Sequence, residues 1–418
     1  MKNRLVLGIS IMMLLSIMAL SGCSREHAND IAKEEADISE EALPWKIAII
    51  TNSLEGGDEE GYRSAEALAA MFGEDRLMHR TAFLSFGWFD WSPIIQEIAE
   101  DLEIRAVVVS TLDFFLDRDG LLSAPIDELL DMRDDIFLVY TGPTDYPLNP
   151  ASAAERSNLV IGTNYQMVGE GFVMQAIAMG AETIAHYSFP RHVVYTPFIA
   201  ERRDTMRATA EREGIRFVEL AALDPMEVNG TAYAMAHIEQ DLPKQVEELG
   251  VNTAFFGTSC VLQASILSQV MATGAIFVQP CCLSPYDGYP VGLGIEYRVY
   301  TGAYADWRTP ITRLIELPEL IEAIDGAVEV GGMSGRISGW AVPSSTMWMT
   351  IGLMYAVEWI LGNVPQEYGI ICLDTLEGLA REYTARLGFD SGVSLEFYDT
   401  TLRHFVLGTV EYRMFGDR

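Results

Sequence analysis

Basic residues are scarce in this 418-residue chain. It has 28 Lys and Arg against 60 Asp and Glu, a formal net charge of −32. A surface of that sign repels a phosphate backbone, so nucleic-acid binding is not expected. Acidity on this scale suits solubility outside a cell. Cysteine is sparse too, at five residues, and no C-x-x-C pair occurs. That excludes a disulfide-dense scaffold and the usual zinc-ribbon spacing. The six histidines, at 27, 79, 186, 192, 237 and 404, show no metal-ligand spacing. Neither G-x-S-x-G nor H-E-x-x-H is present, and the turn after the first strand, Asn52-Ser53-Leu54-Glu55-Gly56-Gly57, fits neither dinucleotide nor P-loop glycine patterns. No catalytic constellation, metal or cofactor is therefore expected, and the chain reads as something other than an enzyme.

What the chain does have is apolar residues, 49% of the total, enough for a large core and against disorder. Its first 23 residues read as an export signal. Lys2 and Arg4 form a basic start, and Leu5 to Leu20 is an apolar run too short to be a comfortable membrane span. The run ends in Leu20-Ser21-Gly22-Cys23, which resembles the bacterial lipobox. The resemblance implies that Cys23 is lipidated, with palmitate-type acyl chains, and becomes the mature N-terminus. The expected location is the outer face of the cytoplasmic membrane, or its periplasmic side in a two-membrane cell. Residues 24–44 are polar and acidic and read as a tether.

From Trp45 onward, β and α patterns alternate. Strands are expected over 45–51, near 79–84, and over 106–110 and 136–140. Helices lie between them, one carrying Tyr62, Ala65, Leu68 and Phe72 on one face. Alternation of this kind implies a parallel sheet covered by helices on both faces. In such sheets ligands bind beyond the carboxyl ends of the strands. Asn52 and Ser53 follow the first strand. The loop Ser85-Phe86-Gly87-Trp88-Phe89-Asp90-Trp91 offers aromatic faces for stacking, or a hydrophobic plug. Asp113, after the third strand, suits either a ligand hydroxyl or a helix cap.

The plan then repeats. A strand at 183–188 is followed by the polar break Phe189-Pro190-Arg191-His192 and a helix over 199–213. Ile199, Met206 and Ala210 recur at helical spacing, and Arg203 falls inside that stripe, so an inward-facing cation is one reading and a solvated face the other. Arg202 and Arg207 read as solvated, paired with Glu201 and Glu211. Strands at 217–220, 254–258 and 276–279 and helices at 233–249 and 259–271 complete the half. Gly257-Thr258-Ser259 is a strand-end turn whose hydroxyls either cap the next helix or face a ligand. Cys281-Cys282 reads as buried thiols, a vicinal disulfide or pocket lining. Residues 281–340 are the least legible, with one helix expected near 310–324. Ser344 to Leu361 reads as a buried helix rather than a membrane insertion, and the last 50 residues as one helix with two or three short strands.

The junction Leu159–Ala181 carries a resemblance. Gly162-Thr163-Asn164-Tyr165, with Gly169 in the helix that follows, is similar to the hinge of type I periplasmic binding proteins and related sugar-responsive repressors. In kind, the chain resembles bacterial lipoproteins assigned a domain of unknown function. The resemblance implies two doubly wound α/β lobes joined by hinge crossings. Residues 45–163 and 283–418 would form the first lobe, with an insertion, and 164–282 the second. It implies an extracytoplasmic solute-binding protein that captures a small polar ligand (a sugar, nucleoside or amino-acid-like compound) between its lobes for an ABC-type permease. The alternative is a sensing or interaction lipoprotein without transport; a surface hydrolase is a more distant reading. Expected ligand contacts are Asn52, Ser53, Trp88, Asp90 and Asp113 in the first lobe and Arg191, Arg203, Thr258 and Ser259 in the second. Asn164 lies at the hinge.

Overall fold

The computed structural model describes residues 45–52, 59–85, 88–90, 92–110, 123–142, 156–227, 230–296, 298–300, 311–314, 316–389 and 392–417. The leader, Cys23 and the tether lie outside them. The chain divides into two compact units. The first comprises residues up to Gly162, Ser345–Tyr383 and Val393–Gly408; the second comprises Thr163–Ser344, Thr384–Gly392 and Thr409–Arg418.

The first unit is built from β1 (Lys46–Asn52), α1 (Glu59–Phe72), β2 (Leu77–Ser85), β3 (Trp88–Asp90), α2 (Ser92–Glu100), β4 (Ile104–Ser110), α3 (Ser123–Met132), β5 (Phe137–Thr141) and β6 (Leu159–Thr163). Pairings β1–β2, β1–β4, β4–β5 and β5–β6 are parallel, while β3 folds back antiparallel on β2. β5 is buried throughout, and β1 and β4 nearly so, as expected of strands covered on both faces.

The second unit follows with α4 (Tyr165–Ala178), β7 (Thr183–Ser188), α5 (Pro190–Tyr195), α6 (Pro197–Glu213), β8 (Arg216–Ala221), α7 (Gly230–Leu249), β9 (Thr253–Gly257), α8 (Cys260–Thr273), β10 (Ile276–Phe277), α9 (Tyr289–Gly292), β11 (Arg298–Tyr300), β12 (Ile311–Leu314), α10 (Leu317–Val330) and β13 (Ser338–Gly339). Its main sheet is parallel, in the order β10-β9-β7-β8. On one face Ile184, Phe256, Ile276 and Val278 join Phe172, Val173 and Ala176 of α4 and Met206 and Ala210 of α6 in one core. On the other, Tyr187 stacks on Phe255 and donates its hydroxyl to Asp241 of α7 at 2.8 Å.

The chain closes with α11 (Ser344–Ile360), α12 (Leu373–Arg386), β14 (Val393–Phe397), β15 (Phe405–Val410) and β16 (Arg413–Met414). β14 and β15 extend the first sheet to β14-β15-β6-β5-β4-β1-β2-β3. Ser345 and Thr346 of α11 donate to the Glu60 carboxylate of α1 within the first unit. Among the described residues no helix is long and apolar enough to cross a membrane.

Two expectations need correction. Residues 283–344, 384–392 and 409–418 belong to the second unit, not the first. Tyr289 explains why for the first of these: its ring packs edge-on to Phe277 and Phe415, and its hydroxyl donates to the Ser338 carbonyl, so this stretch completes the second core. The helix expected near 310–324 starts at Leu317 instead, after the β11–β12 hairpin. Pro318 sits in its first turn, where a missing N–H is harmless.

Candidate functional site

Each main sheet reverses its winding once. In the first unit the chain moves outward from β1 to β2, then returns to place β4 on the other side of β1. In the second unit β8 and β9 flank β7 in the same way. The carboxyl ends of β1 and β4, and of β7 and β9, therefore border the switch points at which open α/β sheets bind ligands.

At the first switch point Asn52 ends β1. It is fully buried, and neither atom of its side-chain amide has a hydrogen-bond partner among the described residues. Thr51 beside it contacts Nε2 of His79 at 2.8 Å. Burial pushes His79 down to about 4, keeping the ring neutral at pH 7. Ser53 and Asp113 lie outside the described residues. Trp88 and Asp90 lie on β3, paired with Ser85 and Phe83, and their side chains are also outside the description.

At the second switch point the exits of β9 and β10 are tied together. Thr258 donates its backbone N–H to Tyr187 O at 3.0 Å, and its carbonyl accepts the Cys281 thiol at 3.1 Å. Gln263 donates to the carbonyls of Gly257 and Ser259 at 2.9 and 2.7 Å. Ser259 occupies the cap position of α8, yet its side chain makes no capping bond. The Thr258 hydroxyl and both amide atoms of Gln279 are buried without partners among the described residues. Buried polar atoms are nearly always satisfied, so the partners of these groups lie beyond the described residues.

Arg203 does not face inward. It pairs with Asp204 at 2.6 Å and with Glu219 at 3.8 Å on the surface. Arg202 is the inward cation. It is 1% exposed, donates to the Cys281 carbonyl at 2.9 Å and to its sulfur at 3.4 Å, and lies over the rings of Phe256 and Tyr165. Both arginines satisfy helical spacing from Ile199 and Met206. The deciding residue is Thr209, also buried, which lies two turns after Arg202 and shifts the centre of the stripe toward it. Arg207 remains a surface group, but its partner is Glu219, at 2.6 Å.

Arg191 is engaged as well. The break after β7 forms α5, and Arg191 grips Asp224 through two bonds of 2.5 and 2.7 Å. The guanidinium holds the Asp224 carboxyl below the usual range. Asn164 caps α4, accepting from Met167 N at 3.0 Å. Thus Thr258 and Ser259 stand at the second switch point and Asn52 at the first, whereas Arg191, Arg203 and Asn164 serve protein–protein bonds.

The vicinal cysteines part company. Cys281 is buried against Arg202 and Thr258, and its thiol is held below the usual range, first by the neighbouring Cys282 thiol and further by Arg202. Cys282 is exposed, and its sulfur lies 3.1 Å from that of Cys260, also exposed. Asp287 completes a group of three metal-ligating side chains with ligand atoms within 4.8 Å of one another. A 22-residue separation gave no sign of this in the sequence. The signal lies in the parallel register that sets β10 beside β9.

Two doubly wound parallel units with strand-end switch points make up a type I periplasmic-binding-protein-like fold. The chain belongs to the family described as "Protein of unknown function (DUF3798)", whose model matches residues 45–322. An uncharacterized protein from Treponema pallidum (strain Nichols) is 27% identical over 208 residues, 50% of this chain and 89% of the relative. A crystal structure from Clostridium difficile 630, of a protein described as a proposed transcriptional regulator, superposes with a TM-score of 0.71 at 18% identity. It covers 89% of this chain and 99% of its own. A sugar ABC transporter (sugar-binding protein) from Bacillus halodurans aligns at a TM-score of 0.49 and 13% identity, covering 79% and 94%. At 18% identity the first of these likenesses shows the fold alone, and at a TM-score below 0.5 the second carries no argument.

Proposed function

We propose that the chain is an extracytoplasmic solute-binding lipoprotein. It captures a small polar compound at the carboxyl-terminal edges of its sheets and passes it to an ABC-type permease, without catalysis. The observation that supports the reading is a set of buried polar side chains at or just past strand ends that have no partner among the described residues: Asn52 in one unit, Thr258 and Gln279 in the other. An unsatisfied buried amide or hydroxyl costs on the order of 1–3 kcal/mol. A solute bearing hydroxyls or amides recovers that energy by bonding to them. The acidic surface disfavours polyanions, and amide and hydroxyl groups together suit a sugar, a nucleoside or an amino-acid-like compound.

The test is mass spectrometry of whatever small molecule is released on mild denaturation of protein purified from its host. It is followed by thermal-shift screening of sugars, nucleosides and amino acids. A single released or stabilising compound is expected, with Asn52→Ala and Thr258→Ala each weakening it at least tenfold. Neither release nor stabilisation by any of these classes would sink the proposal. Loss of uptake of that compound in a strain lacking the protein separates delivery from sensing.

A further inference from the structure

The register of β9 and β10 brings together three side chains that the solute reading does not use. Ala254 and Phe255 pair with Ile276 and Phe277, so the chain leaving β9 runs beside the chain leaving β10. The Cys281 thiol bonds the Thr258 carbonyl, and Arg202 holds the Cys281 carbonyl, fixing both exits. With Cys281 turned inward, Cys282 points outward, and its sulfur meets that of Cys260 at the start of α8, 3.1 Å away. The Cys282 backbone N–H donates to Oδ2 of Asp287 at 3.1 Å, which draws the carboxylate to the thiols. The Ser284 turn sets Asp287 in place: Tyr286 N donates to the Ser284 hydroxyl, and Asp287 N to the Ser284 carbonyl.

We propose that Cys260, Cys282 and Asp287 form a binding site for a thiophilic divalent cation of the zinc class. Two thiolates and one carboxylate are a donor set that such ions take with three protein ligands and an open fourth position. Both cysteines are exposed, so the fourth position faces solvent. Zn–S bonds of about 2.3 Å in a tetrahedron place the two sulfurs about 3.8 Å apart. A few tenths of an ångström of rotation at each exposed side chain opens the present 3.1 Å to that value. A disulfide requires the opposite motion, to about 2.05 Å, and a two-electron oxidant. On metal binding each thiol releases its proton to solvent as its sulfur donates a lone pair to the ion, so affinity rises with pH. Hard cations such as Ca2+ and Mg2+ prefer all-oxygen sites and are not expected here.

The site is separable from the solute reading, because the metal alone is the probe. Reduced, chelator-treated full-length protein is titrated with Zn2+ against a chromogenic competitor, and with Co2+ to follow the thiolate-to-metal charge-transfer band. One equivalent is expected, with that band present. Cys260→Ser and Cys282→Ser should each abolish the band's full intensity and weaken Zn2+ at least a hundredfold. Asp287→Asn should weaken it about tenfold while leaving the band. All three positions are at least partly exposed, and circular dichroism and unfolding midpoints check that the variants stay folded. Absence of stoichiometric Zn2+ binding by the reduced protein overturns the proposal. So does binding unchanged in the Cys260→Ser/Cys282→Ser double variant, or a Cys260–Cys282 disulfide forming while the reduced thiols ignore the metal.

Discussion

His186 stands in the middle of β7, 1% exposed, with its ring stacked on Phe256 and tilted against Phe217. Burial first, then the positive charges of Arg202, Arg203 and Arg207, push it down to about 3 from an ordinary 6.5. The folded chain therefore holds a neutral ring where the unfolded chain binds a proton. Stability from this group is complete above pH 6.5 and is lost as pH falls toward 3. Between pH 6.5 and pH 4 the loss is on the order of 3 kcal/mol, at about 1.4 kcal/mol per pH unit. Urea unfolding of wild type and His186→Phe at pH 7 and pH 4 measures it. Wild type should lose on the order of 3 kcal/mol relative to the variant between the two pH values. A stability difference that does not change with pH would show that His186 does not titrate on unfolding. The same residues show where sequence stopped being informative. Thr258 was legible as a strand-end residue because turn chemistry is local. The choice between Arg202 and Arg203 was not, since adjacent positions differ by only about 100° around a helix and both fit the stripe.

Among the elements, α4 and α6 pack closely because Gly169 has no side chain. A Cβ there would lie 2.6 Å from the Arg202 carbonyl oxygen and 3.1 Å from Cβ of Thr205, with backbone that cannot swing aside. The glycine that marks the junction in the sequence is thus a packing residue of the second unit. Gly326, in the middle of α10, has open space around its Cβ position. Alanine gains up to about 1 kcal/mol of helix propensity at either site. At Gly169 that gain is outweighed by overpacking of about 1–3 kcal/mol. Gly169→Ala should therefore lower the urea midpoint and Gly326→Ala raise it; a rise in both would mean that the two helices separate without strain. Element by element, the alternating strands and helices of 45–280 were readable because each carries its own period. Residues 283–344 were not, because Tyr289, Phe277 and Phe415 meet only through long-range folding.

Over the whole molecule, the net charge opposes attachment to an anionic membrane. A net charge of −32 is repelled by anionic lipid headgroups, so the protein surface offers a bilayer no electrostatic attraction. No described helix is long and apolar enough to cross a membrane. If the Leu20-Ser21-Gly22-Cys23 stretch directs lipidation and removal of the apolar leader, the acyl chains at Cys23 supply membrane affinity to the mature chain. Each buried CH2 contributes about 0.8 kcal/mol, and stable attachment takes two such signals, which dual acylation meets. Cys23→Ser should then move the protein out of the detergent phase on phase separation and abolish incorporation of labelled palmitate. Since a net charge of −32 gives anionic headgroups nothing to attract, raising the salt should not restore membrane association. Retention in the detergent phase without label would show that another part of the chain is the anchor. Label lost with the membrane fraction unchanged would place a partner protein in that role.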